Sequence, residues 1–121
     1  MRPTDGACIV FEGVVRNHHD GKQVQSIFYD AYRPMAEKEI DTILSGIAKE
    51  FPDVAVGVRH RLGHLIVGDV SITIVCASPH RAEAYAASRA VIDRIKETVP
   101  IWKKERGPSG EEWVGLQGRG L

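Results

Sequence analysis

The chain is poor in the residues that would place it in a specialised class. It has only two cysteines among 121 residues. Cys8 and Cys76 sit in the apolar runs Ala7-Cys8-Ile9-Val10 and Ile74-Val75-Cys76-Ala77, with no Cys-x-x-Cys spacing. That excludes a disulfide scaffold and a thiolate zinc site, and predicts two buried free thiols in a reducing cytoplasm. No apolar run approaches the roughly 20 residues that span a bilayer, and no targeting or lipidation motif is visible. A cytoplasmic location is therefore expected. Charge of one sign is also missing: sixteen Lys and Arg balance sixteen Asp and Glu. Without a global positive field, and with aromatics at 7% and no aromatic-rich strand motif, a nucleic-acid binder is disfavoured. Any anion site must be local.

Familiar nucleotide and hydrolase motifs are absent too. There is no Gly-x-Gly-x-x-Gly, no Gly-x-x-x-x-Gly-Lys-Ser/Thr and no Gly-x-Ser-x-Gly, so the sequence implies no nucleotide cofactor or serine nucleophile. Five histidines, at 18, 19, 60, 64 and 80, show no zinc-type spacing on one helical face. Neither a metal nor another cofactor is expected.

What remains is an ordinary globular composition, 43% apolar and 26% charged, with no repeat or linker, and a length that suits one domain over residues 1–121. Residues 6–16 have strand composition and stop at Asn17-His18-His19-Asp20-Gly21, a turn cluster. Residues 24–32 resume it, with Ile27, Tyr29 and Ala31 alternating with Phe28, Asp30 and Tyr32. The two runs are expected to pair as a hairpin.

Pro34 suits the first turn of a helix whose buried face is Ile40, Ile43, Leu44, Ile47 and Phe51, ended by Pro52. Residues 54–60 and 69–77 read as two further strands, joined by a segment holding Gly63 and Gly68. Ser78-Pro79 reads as the cap and first position of a second helix, with Ala84, Ser88, Val91, Ile92 and Ile95 as its buried stripe and Pro100 as its stop. The order β-β-α-β-β-α predicts an α+β fold, a mostly antiparallel sheet with two main helices packed on it. The segment from about 106 to 121, dotted with Gly115, Gly118 and Gly120, is expected to be a flexible tail.

Chemistry is best sought in two basic places. His80 and Arg81 would stand on the first turn of the second helix, where free N–H groups and the helix dipole favour an anion. An exposed arginine and a packed histidine would explain the same residues. Lys96 falls in that helix's last turn, where a cation also offsets the dipole. Lys103 and Lys104 follow Pro100-Ile101-Trp102, a bulky connector that would hold them still. A constrained lysine is a candidate for acid–base or nucleophilic work, because burial frees its amine. With a proline between them, spacing cannot show whether Lys96 and Lys103 converge.

Four motifs together resemble one family. Phe11-Glu12-Gly13-Val14-Val15-Arg16-Asn17-His18, Tyr32-x-Pro34-Met35-Ala36-Glu37-Lys38, Ser78-x-His80-Arg81, and Pro100-Ile101-Trp102-Lys103-Lys104-Glu105 with Trp113-Val114 behind it are similar to the large, catalytic subunit of molybdopterin synthase. The likeness runs from about residue 6 to 115. It implies an α/β-hammerhead-like fold and a sulfurtransferase of molybdenum cofactor biosynthesis. Such an enzyme converts cyclic pyranopterin monophosphate to the dithiolene of molybdopterin. The sulfur comes from the C-terminal Gly-Gly thiocarboxylate of a small ubiquitin-like carrier, and the assembly is a heterotetramer around a homodimer.

The resemblance also implies roles. Val14, Val15, Arg16, His80, Arg81, Lys104 and Glu105 fall on substrate-binding positions, and Lys96 and Lys103 on the catalytic pair. Members of that family commonly carry a longer segment before the first strand, a departure that bears on assembly more than on chemistry. This chain ends Gly118-Arg119-Gly120-Leu121 rather than Gly-Gly, so the carrier is expected in trans. The competing reading is a noncatalytic module that grips a phosphorylated ligand or a ubiquitin-like tail with the same basic groups.

Overall fold

A computed structural model describes residues 1–114. The elements are β1 (Ala7–Val14), β2 (His18–His19), β3 (Lys22–Gln23), β4 (Ser26–Ala31), α1 (Arg33–Glu50), β5 (Ala55–His60), β6 (Gly63–Ile66), β7 (Val70–Ser78), α2 (Arg81–Thr98), β8 (Ile101–Gly107) and β9 (Gly110–Val114). They form an antiparallel sheet β1-β7-β5, a second sheet β6-β4-β8-β9, and a small ribbon β2-β3. The α+β reading with two helices holds, with the strands divided between two sheets rather than one.

Both helices follow from their sequence. Pro34 lies in the first turn of α1, and the chain leaves the helix at Phe51, just before Pro52. In α2, Ala84, Ala87, Ser88, Val91 and Ile95 are buried, and this stripe packs on β1 and β7 while α1 packs on α2. Arg94 of α2 pairs with Glu50 of α1 at 2.5 Å. The core joins Ile74 and Cys76 of β7 to Val91, Ile95 and Val99, all fully buried. Cys76 is therefore packing: burial pushes its thiol up to about 11. Cys8, expected to be buried as well, is exposed, because on β1 it falls on the outward side of the alternating pattern.

The expected hairpin of residues 6–16 with 24–32 does not form. β1 pairs instead with β7, from Ala7 opposite Ser78 to Val14 opposite Val70, and β4 pairs with β6 and β8. The local turn is real but smaller: Asp20 and Gly21, at φ 51° and 75°, close only β2 onto β3, the geometry of a tight hairpin turn that favours Asp-Gly. Residues 54–60 and 69–77 do pair, as β5 with β7. The segment between them contributes β6 to the other sheet.

α2 begins at Arg81, two residues after the expected position, with His80 as an extended N-cap residue. Ser78 does not cap it. That residue is locked in β7 opposite Ala7, and its hydroxyl donates to the His80 carbonyl. The segment after Pro100 is a strand rather than a connector, and 106–114 complete a β8–β9 hairpin rather than a loose tail. The part of the tail expectation that concerns Gly115, Gly118 and Gly120 lies outside the described residues. No helix among the described residues is long and apolar enough to cross a membrane.

Candidate functional site

Where β1 ends, its register with β7 shifts between Gly13 and Val14. A bulge of this kind bends a strand and re-aims the residues beyond it. Here it turns Val15 inward, 3% exposed, with its N–H donating to the Asp69 carbonyl at 2.9 Å, and delivers Arg16 to the rim of a cavity of about 330 Å³. Lys96 reaches the same cavity from the last turn of α2, and Lys103 and Glu105 from β8. The ribbon supplies His18 and His19, and β4 supplies Ile27 and Tyr29.

Six of the nine residues singled out from the sequence thus meet: Val14, Val15, Arg16, Lys96, Lys103 and Glu105 line one cavity. Lys104 does not. As the next residue of an extended strand it points to the opposite face, where its amine lies 3.0 Å from Glu111 and over the ring of Trp113. His80 and Arg81 are exposed at the N-terminal end of α2. Lys96 is fifteen residues along that helix, roughly 22 Å away at about 1.5 Å per residue. Within one chain they do not join the cavity.

Lys103 is 9% exposed and Glu105 6% exposed. Burial pushes the Lys103 amine below the ordinary lysine range, since desolvation disfavours the ammonium. Glu105, with Oε2 at 3.5 Å, opposes that fall, whereas Arg16 and Lys96 add to it. Glu105 Oε2 also lies 2.9 Å from His19 Nδ1. Both are ion-pair contacts, the one to Lys103 long, and this buried oxygen has no fully formed hydrogen bond. Tyr29 stands opposite Lys103 in the β4–β8 register, and burial raises its phenol, which keeps it neutral.

Three cations against one carboxylate make the cavity locally positive in a chain of zero net charge. Such a site attracts an anion and can place a proton next to it. Tyr29 and His19 were not among the residues singled out. Tyr29 had a usable signal, its place on the inward face of β4, but His19 had only its presence in a turn. Among the described residues no cluster of His, Cys, Asp or Glu is arranged to hold a metal.

The comparisons with known proteins converge on one group. The family model described as MoaE protein matches residues 1–98. The chain is 45% identical over 117 residues to the molybdopterin synthase catalytic subunit of Staphylococcus carnosus, covering 97% of this chain and 78% of that protein. The crystal structure of molybdopterin synthase from Staphylococcus aureus superposes with a TM-score of 0.90 at 40% identity, over 94% of this chain and 83% of its own. A complex of subunits 1 and 2 of molybdopterin-converting factor from Helicobacter pylori shares the fold, with a TM-score of 0.77 at 23% identity over 92% of this chain and 73% of its own. Sequence and fold together show that this chain belongs to the MoaE family, the catalytic subunits of molybdopterin synthase.

Proposed function

We propose that the cavity between β1, β8 and the end of α2 is where this enzyme transfers sulfur to cyclic pyranopterin monophosphate. The supporting observation is a buried lysine of lowered pKa, Lys103, sharing one cavity with Lys96, Arg16 and Glu105. Arg16 binds the phosphate. The donor is the C-terminal thiocarboxylate of a small ubiquitin-like carrier, a second subunit of the kind named in the Helicobacter pylori complex.

In this scheme the thiocarboxylate sulfur forms a bond to a side-chain carbon of the pterin, and the bond from that carbon to the phosphate oxygen breaks. Lys103 or Lys96 donates a proton to the departing oxygen. Water then cleaves the acyl–sulfur bond, returning the carrier as a carboxylate and leaving the thiol on the pterin. A second carrier then adds its sulfur to the neighbouring carbonyl carbon, whose oxygen leaves as water, and hydrolysis of that second acyl–sulfur bond returns the carrier as a carboxylate and completes the dithiolene. A lysine whose pKa is lowered by burial gives up its proton more readily than an ordinary one, which is why burial of Lys103 suits the role.

His80 and Arg81 serve such a cavity only when supplied by a second copy of the chain. We place them there, in a homodimer that carries a small subunit at each end and works in the cytoplasm. Lys104, on the far face of β8, is outside the machinery of this cavity.

The test mixes purified protein with thiocarboxylated carrier and cyclic pyranopterin monophosphate and measures dithiolene formation. Wild-type turnover that collapses in Lys96→Ala, with carrier binding kept, is the expected result. A folded wild-type protein that binds carrier without turnover would reject it in favour of a binding module.

A further inference from the structure

The β2–β3 ribbon belongs to neither main sheet, yet it is clamped against the floor of the cavity. Lys22 Nζ lies 3.1 Å from Glu112 of β9, and the Gln25 N–H donates to the Arg106 carbonyl at 2.7 Å. Gly107 of β8 sits so close to the Gln23 carbonyl that any side chain there would collide with it. These contacts press one ribbon residue onto the catalytic strand. His19 Nδ1 is 2.9 Å from Glu105 Oε2, while its Nε2 is 3.6 Å from Asp20.

Glu105 Oε2 therefore stands between two nitrogens, 2.9 Å from His19 Nδ1 and 3.5 Å from Lys103 Nζ, closer to the imidazole than to the amine and with no fully formed hydrogen bond to either. A carboxylate committed to Lys103 would lock its proton in place; one shared with a proton on Nδ1 of the imidazole does not. We propose that His19 is a positioning residue, which holds Glu105 back from Lys103 so that the amine stays incompletely paired and able to exchange its proton. The inference rests on the sulfur-transfer reading of the cavity for its meaning, but not for its measurement.

The charged and titratable groups around Lys103 are few enough to separate. Glu105 faces it from its own strand, Arg16 from beyond β1, Lys96 from α2, Tyr29 from β4, and His18 and His19 from the ribbon. Among these described groups Glu105 is the one carboxylate, and after burial its placement is the largest influence on how tightly Lys103 keeps its proton. Removing the imidazole releases the carboxylate to Lys103 and must raise the pH at which the amine ionises. Asparagine places an amide N–H near the position of Nδ1 and should restore the sharing.

The experiment titrates the Lys103 side-chain nitrogen by NMR in the intact protein, its signal assigned by loss in Lys103→Gln, for wild type, His19→Ala and His19→Asn. The expected midpoint rises by about one pH unit in His19→Ala and returns close to wild type in His19→Asn. In the dithiolene assay the limb of the pH profile due to Lys103 moves the same way. At neutral pH kcat falls about tenfold, with KM for the pterin little changed.

A ribbon that merely supports the fold would lower the melting temperature without moving the Lys103 titration. Superimposed titrations of wild type and His19→Ala overturn the inference, as does a His19→Asn curve that follows His19→Ala. If wild type makes no dithiolene but the titration shift appears, the coupling stands and the sulfur-transfer reading of the cavity fails.

Discussion

On the inner face of β8, Lys103 and Glu105 are packed among Tyr29, Arg16 and Lys96 and scarcely touch solvent. On the outer face, one residue along, Lys104 is about a third exposed, lies 3.0 Å from Glu111, and has Nζ 5.4 Å from the centre of the Trp113 ring. The two lysines share their sequence surroundings and differ only in the side of the pleat they occupy. That places one in a desolvated, cation-rich cavity and the other in a screened surface pair. The chemical capacity of a lysine here is thus set by strand register, not by its neighbours in the chain.

The sharpest way to break this comparison is to remove each amine in turn. Lys103→Ala should lower dithiolene turnover by about 10²–10⁴-fold, the usual cost of losing a proton donor of the kind proposed for it, while Lys104→Ala stays within about threefold. Similar losses in both, with folding intact, would show that the face of the strand does not decide function.

A smaller effect is expected from Glu105→Gln, which removes the carboxylate that, among the described residues, holds a proton on Lys103. The midpoint of the Lys103 titration should then fall by about one pH unit, opposite in sign to His19→Ala. Glu111→Gln, on the outer face, should leave that midpoint where it is. A shift from the outer substitution would mean that the two faces are electrically connected.

The smallest effect is on stability. Because burial lowers the native pKa of Lys103, the folded protein releases this proton before the unfolded chain does. Between the native value and the unfolded value of about 10.4, the unfolded state binds more protons, so this group's contribution makes the folded state more stable as pH rises. Urea titrations across that window should show the rise in wild type and lose it in Lys103→Gln. A rise that persists in Lys103→Gln assigns it to another group.

Much of the local structure was legible because local rules govern it. Proline at 34 and 52 framed α1, the three-and-four spacing named the buried faces of both helices, and the alternation Ile27, Tyr29 gave the inward side of β4. Asp20-Gly21 marked a turn. What that turn joined was not legible, since β1 found its partner more than fifty residues away in β7 and left the turn to a two-residue ribbon. Ser78 misled for the same reason: cross-strand pairing with Ala7 outweighed its preference for capping a helix.

The site divides along the same line. Residue types and motifs marked Arg16, Lys96, Lys103 and Glu105, but neither periodicity nor spacing across Pro100 brought them together. By itself the sequence determined the helices and their buried stripes, the family, and the chemistry on offer: basic side chains and a carboxylate among them. Only the tertiary structure decided which of these groups face one another. It set Lys103 against Lys104 by the pleat of β8, placed His80 and Arg81 at the far end of α2, and laid His19 against Glu105. Such choices depend on pairings between distant segments and on the desolvation they impose, and a local pattern of residues encodes neither.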